Sequence, residues 1–157
     1  MLDRREFYRL ERLDPLTEDF RALAEESRRE GFWVVGPLLG RRGNGRHRFS
    51  RRGETVLAAW RGDGLAGVCG LNVDPYVDRP RQGRIRHLYV SPAHRGNRVG
   101  RLLVEAVIDK ARRHFRILRL RAPETAFGFY EALGFERVEG EQHMTHRMRL
   151  TKPAAGG

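Results

Sequence analysis

The sequence predicts a single α/β domain built on a mixed sheet, and three observations carry that expectation. Three closely spaced strand-like segments lie between residues 55 and 90, as in an antiparallel meander. The hydrophobic period then changes to that of a helix near residue 99, and short strand and helix signals take turns up to residue 150. The chain has 157 residues with 39% hydrophobic and 9% aromatic side chains. That is enough to bury one core without disulfide or metal support, and too apolar for disorder. The domain is expected over residues 1–150 and a disordered tail over 151–157.

Taken in order, Phe7–Leu10 reads as a short strand. Asp14-Pro15 offers an N-cap acid and a first-turn proline. Leu16, Phe20, Leu23, Ala24 and Ser27 then share one helical face to about Glu30, and Gly31 ends the helix. Phe32–Leu39 is apolar but broken by Gly36-Pro37, which leaves a second short helix or an irregular cover. Residues 40–53 are a loop. Thr55–Trp60 and Leu65–Val73 are strands joined by the tight turn Arg61-Gly62-Asp63-Gly64, whose glycines supply positive φ. Arg84–Val90 follows the proline-bearing loop Pro75–Gly83. Val99, Leu102, Leu103, Ala106, Val107 and Ala111 mark one face of a long helix to about His114. Ile117–Arg121 is a strand, Glu124–Leu133 a helix closed by Gly134, and Phe135–Val138 a strand. His143–Leu150 alternates, with Met144, His146, Met148 and Leu150 on one face.

No run approaches 18 apolar residues, so no membrane span is expected, and the charged start MLDRREFYRL argues against a secretory signal. Cys69 is the only cysteine. This excludes an intramolecular disulfide and suits a reducing, cytoplasmic setting. As a residue it reads as a small buried strand side chain before it reads as a nucleophile. The 31 cations against 20 anions give a formal +11, and because Lys110 and Lys152 are the only lysines, 29 of those cations are arginine. Such a surface attracts anions. Arg41, Arg42, Arg46, Arg48, Arg51 and Arg52 crowd one loop, which reads either as a solvated loop or as a polyanion contact. Nucleic acid is the less favoured partner, and a polycationic substrate would be repelled there.

Two motifs fail on context. Gly62-x-Gly64-x-x-Gly67 matches a dinucleotide fingerprint, but its glycines run into a strand and not into a helix N-terminus. His143 and His146 fall on opposite faces of a strand, so a shared metal is not expected, and His146 reads as a satisfied core histidine. The segment that carries chemistry is Leu88-Tyr89-Val90-Ser91-Pro92-Ala93-His94-Arg95-Gly96-Asn97-Arg98-Val99-Gly100, between a strand and the long helix. A glycine-bearing loop that opens a helix presents backbone N–H groups and the positive end of the helix dipole to an anion. Gly96 and Gly100 admit a ligand close to the main chain, and Arg95, Arg98 and Arg101 add charge. A phosphorylated ligand is expected here. A second element, Phe129-Tyr130-Glu131-Ala132-Leu133-Gly134-Phe135, lies about thirty residues on.

Together these two elements resemble the GNAT superfamily of N-acetyltransferases. Arg95-Gly96-Asn97-Arg98-Val99-Gly100 is similar to the family's acyl-CoA loop, Gln/Arg-x-x-Gly-x-Gly/Ala. The second element is similar to its downstream Phe-Tyr-x-x-x-Gly-Phe. Element order extends the resemblance to roughly residues 5–150. Arg98 stands where the family usually has glycine. Pro123 stands where many members have asparagine, which removes a pantetheine contact.

The resemblance implies a GNAT-like fold with splayed central strands and flanking helices, and acetyl-CoA as acyl donor with no metal. Pantetheine would pair with the main chain of Leu88, Tyr89 and Val90, whose N–H groups would polarise the thioester. The diphosphate would rest on Arg95, Gly96, Asn97, Arg98, Val99, Gly100 and Arg101. Tyr130 would donate a proton to the leaving thiolate or a neighbouring water, or serve packing only. His87 is the first candidate for general base, beside a structural role on the Ile85/Tyr89 face, with Asp74 and Glu54 in reserve. The implied activity is acetyl transfer to a primary amine of a small molecule or protein, in a ternary complex, by a monomer or homodimer. The alternative is a low-turnover acyl-CoA-responsive or RNA-associated module on the same fold.

Overall fold

A computed structural model describes residues 7–14, 17–31, 51–77 and 81–151. In chain order the elements are β1 (Arg9–Arg12), α1 (Glu18–Arg29), β2 (Thr55–Arg61), β3 (Gly64–Val73), β4 (Gln82–Val90), α2 (Val99–Ala111), β5 (Ile117–Leu120), α3 (Phe127–Ala132), β6 (Glu136–Arg137) and β7 (His146–Arg149). The strands make one sheet in the order β1-β2-β3-β4-β5-β7-β6. Among the described strands only β4 and β5 run parallel, so the expected mixed sheet with an N-terminal meander is present.

Local chemistry accounts for most boundaries. The β2–β3 hairpin turns on Gly62 at φ 59, the sole glycine of that turn that needs a positive angle. α1 is not capped by Asp14 as the sequence suggests. Thr17 is the N-cap, its side chain accepting from the Phe20 N–H, while the Asp14 carbonyl accepts from the Thr17 hydroxyl at 3.1 Å. A hydroxyl three residues closer to the first buried position outcompetes the acid. The first strand begins two residues later than expected. Glu124–Ala126 forms a 3₁₀ turn before α3 in place of a continuous helix. The 32–39 segment, loop residues 40–50 with Arg41, Arg42, Arg46 and Arg48, and tail residues 152–157 lie outside the described residues.

The sheet is covered on both faces. α2 and α3 bury Leu103, Val104, Val107 and Tyr130 against Leu57, Cys69, Leu71, Ile85, Leu118 and Leu120. α1 buries Phe20, Leu23 and Ala24 against Val56, Ala58, Val68 and Tyr89 on the other face. α2 is rotated slightly from its expected face, with Val104 and Ile108 buried and Leu102 and Ala106 half-buried.

β4 is irregular on both of its edges. Its parallel pairing with β5 covers only Gln82–Arg84 against Ile117–Arg119, after which the strands part. On its other edge, Val68 of β3 pairs with Tyr89 but Gly70 pairs with Arg86. One extra residue is therefore accommodated opposite Cys69, and His87 adopts the left-handed conformation at φ 59. This is a β-bulge, which re-aims the strand where the gap opens.

Candidate functional site

The gap between β4 and β5 exposes main chain. Ser91 donates its N–H to the Ala66 carbonyl of β3 at 2.8 Å. Strand alternation then turns Tyr89 toward β3 as well, and directs the N–H groups of Leu88 and Val90 to the open side. Beyond β4 the chain makes a 3₁₀ turn, Pro92–His94, and reaches Arg98 in the left-handed region at φ 63, which caps α2. The first helical bond of α2 runs from Leu102 N–H to the Arg98 carbonyl at 3.0 Å. The amides of Val99, Gly100 and Arg101 thus point out of the helix end, where the macrodipole adds ~0.3–1 kcal/mol toward an anion.

An open-sided cleft of about 440 Å³ lies over these amides, lined by Val90, His94, Arg95, Gly96, Arg98–Arg101, Phe129 and Ala132 of α3 and Leu133 just after it. Gly100 lines it. A Cβ there would sit 3.6 Å from Phe129 Cζ and 3.7 Å from Val90 Cγ2, ordinary contact distances. The chain's own packing therefore does not require glycine at this position. The donor set, a wall of apolar side chains beside outward amides, fits a phosphorylated coenzyme with an apolar arm.

The arginines do not all face the cleft as free charges. Arg95 closes its fork on Glu30 at the end of α1, with both nitrogens at 2.9 Å, and donates Nε to the Val90 carbonyl at 3.0 Å. Glu30 is held below the usual carboxylate range, first by Arg95 and then by the Tyr89 hydroxyl, which also donates to it. Arg101 pairs with Glu105 at 2.8 Å. Arg98 is exposed and forms no ion pair among the described residues. Asn97 braces the loop by donating to the His94 carbonyl at 3.3 Å. The Tyr89 side chain faces α1, so only its main chain belongs to this face of the sheet.

Tyr130 is 7% exposed and packs edge-on against Phe129 and Phe135, with centroids at 4.9 and 5.7 Å. Burial drives its phenol well above the ordinary value, with a smaller contribution from the Cys69 thiol. Tyr130 and Cys69 belong to one core cluster on the α2/α3 side, against which Leu88 and Val90 also pack. Cys69 itself is fully buried and its thiol is pushed up to about 12 by burial, which suits packing and not nucleophilic attack.

His87 is half-buried at the bulge. The reserve acids are elsewhere and engaged. Asp74 is 1% exposed at the far end of β3, facing Arg84 and Arg119 and accepting from Tyr76 N–H at 2.8 Å. Glu54 accepts from the Arg51 and Val73 N–H groups at 3.0 and 2.8 Å. His146 is fully buried between Thr145 Oγ1 at 2.9 Å and Glu131 Oε2 at 3.2 Å, the satisfied core histidine the alternation suggests. Among the described residues no group of three potential ligands could hold a metal ion, and no helix is long and apolar enough to cross a membrane.

Sequence reading missed Phe129, Ala132 and Leu133 as cleft walls and Glu30 as the partner of Arg95. The first three stand beside Tyr130 in the Phe129–Phe135 motif. Nothing local signals the fourth, 65 residues before its partner.

Residues 5–135 match the family model of the Acetyltransferase (GNAT) family. A proposed acetyltransferase from Exiguobacterium sp. 255-15 has 30% identity and a TM-score of 0.77, over 90% of this chain and 93% of that one. Two more distant structures share the fold. The ribosomal-protein-S18-alanine N-acetyltransferase of Escherichia coli has 15% identity and a TM-score of 0.65, over 95% of this chain and 97% of that one. N-acetylglutamate synthase from Neisseria gonorrhoeae, complexed with coenzyme A and L-arginine, has 18% identity and a TM-score of 0.63, over 92% of this chain and 33% of that one.

Proposed function

This chain belongs to the GNAT acetyltransferase family, and on that premise we propose that it moves an acetyl group from acetyl-CoA to a primary amine of a small molecule or protein, directly and within a ternary complex. One observation carries the reading: the outward amides of the first turn of α2 floor a cleft bordered by Val90, at the end of the strand that parts from β5. The family match and the structural neighbour complexed with coenzyme A support it.

Acetyl-CoA supplies an activated acyl group; the residues supply the rest. Val99, Gly100 and Arg101 N–H groups, with Gly96 and Arg98 beside them, hold the diphosphate. Leu88 and Val90 N–H groups accept the pantetheine arm as an added strand edge and polarise the acyl carbonyl. His87, beside that edge, takes the proton that the amine must lose, since a free alkylamine has a pKa near ~10 and an unperturbed imidazole one near ~6.5. The amine nitrogen bonds to the acyl carbon as the carbon–sulfur bond breaks. Tyr130, kept protonated by burial in the α2/α3 core, donates to the departing sulfur. A thiol's ordinary pKa is ~8.5, so that donation favours a hydrogen bond over complete proton transfer.

Tyr130→Phe tests the assignment. Coenzyme A release should slow by roughly ten- to a thousandfold in kcat, while acetyl-CoA affinity by calorimetry stays within twofold. Unchanged turnover removes Tyr130 from the chemistry. We further propose a cytoplasmic location, with which the free cysteine Cys69 is compatible, and action as a monomer or homodimer.

A further inference from the structure

The sheet face opposite the cleft carries a charge cluster that the acyl-transfer chemistry leaves unused. Alternation along β4 and β5 sends Ile85, Leu118 and Leu120 into the α2/α3 core and Arg84, Arg86 and Arg119 to the other face. One carboxylate meets two of them there. Asp74 Oδ2 lies 3.2 Å from Arg119 Nε and 3.6 Å from Arg84 Nη1. Arg84 also donates to the His143 carbonyl at 2.6 Å, and Arg119 donates to Gln82 Oε1 at 2.9 Å. Arg86 is half-buried beside Arg84 and pairs with no carboxylate among the described residues.

Two guanidiniums therefore share one carboxylate, and the third adds its charge with no carboxylate partner among the described residues. Arg84 is 6% exposed, and buried cations are ordinarily matched by anions. The rim is also shaped: Tyr76, 46% exposed, stacks on His143 at 4.0 Å and lies 4.8 Å from the Arg84 guanidinium. Arg86 adjoins His87 in the chain, which sets this positive excess immediately before the bulge where the acyl group is delivered.

We propose that Arg86, backed by Arg84 and Arg119, is an anion subsite of the acceptor pocket, so that the amine acetylated belongs to a molecule or peptide that also carries a carboxylate or phosphate. The proposal rests on the transferase reading and adds its substrate class. The guanidinium fork matches either oxyanion with two parallel donors, whereas polyamines meet the same cluster with like charge.

The test is coenzyme A release from matched primary amines that share one skeleton and end in a carboxylate, a phosphate, a carboxamide or a second amine. The anionic members should exceed the carboxamide at least tenfold in kcat/KM, and the carboxylate–phosphate ratio identifies which oxyanion the site takes. Arg86→Gln should reduce that tenfold preference to below threefold, mainly through KM, and Arg86→Lys should keep part of it. Equal transfer to the carboxamide or the diamine overturns the anion subsite and leaves the transferase standing. Release from no amine at all overturns the transferase reading and this one with it. If Arg86→Gln does not fold, the wild-type ratios decide alone.

Discussion

Gly100→Ala separates what the fold needs from what a ligand needs. The added Cβ would meet Phe129 Cζ at 3.6 Å and Val90 Cγ2 at 3.7 Å, contacts the chain accepts without moving. Glycine within a helix is less stable than alanine by about 0.5–1 kcal/mol. For a chain of this size that gain corresponds to a rise in melting temperature of about 1–4 °C. The same methyl stands in the cleft of about 440 Å³, over the amides that floor it. Pushing a diphosphate off even one charge-assisted bond costs ~1.5–3 kcal/mol, roughly a ten- to hundredfold loss of affinity. Stability and acetyl-CoA binding should thus move in opposite directions, read by thermal melts and by calorimetry on one preparation. Unchanged affinity beside a raised melting temperature refutes the claim that a ligand rests on Gly100; a lowered melting temperature refutes the packing argument.

Asp74→Asn leaves Arg84 and Arg119 without their shared carboxylate, and breaking such a buried arrangement costs about 3–5 kcal/mol; a denaturant midpoint within error of wild type contradicts it. Arg98→Gly relieves a left-handed arginine worth ~1–2 kcal/mol of strain, less glycine's ~0.5–1 kcal/mol entropy. A small rise in stability is expected, and a fall would show that the Arg98 side chain is holding the loop. Above about pH 9 stability should decline, because the unfolded chain ionises its thiol near the ordinary 9.0 while folding holds Cys69 up to about 12. The raised phenols of Tyr130 and Tyr89 act in the same direction from their ordinary 10.0 upward. Cys69→Ala should flatten the first part of that decline, and an unaltered slope would mean the thiol contributes nothing to it.

The architecture and the loop that opens α2 under the cleft were legible because their signals are local. Hydrophobic period, hairpin glycines and the run Arg95–Gly100 lie within a few residues of the features they specify. The N-cap was misread at Asp14 because an acid and a hydroxyl compete over three residues, and only the fold shows that Thr17 reaches the Phe20 amide. The state of Arg95 was not legible, since its partner Glu30 is brought to it by α1 packing on β3 and β4. The His87 bulge was invisible for a related reason: register is a property of two strands, and no residue of β4 alone announces that Gly70 will pair with Arg86. Asp74 and Glu54 looked available in sequence and are engaged in the structure by groups drawn from other strands and turns.

Whether the amides at the start of α2 hold a coenzyme's diphosphate is decided by calorimetric titration of the wild-type protein with acetyl-CoA at two salt concentrations. Saturable one-to-one binding that weakens as salt rises is expected. Absence of heat at millimolar coenzyme, from protein shown to be folded, would contradict it.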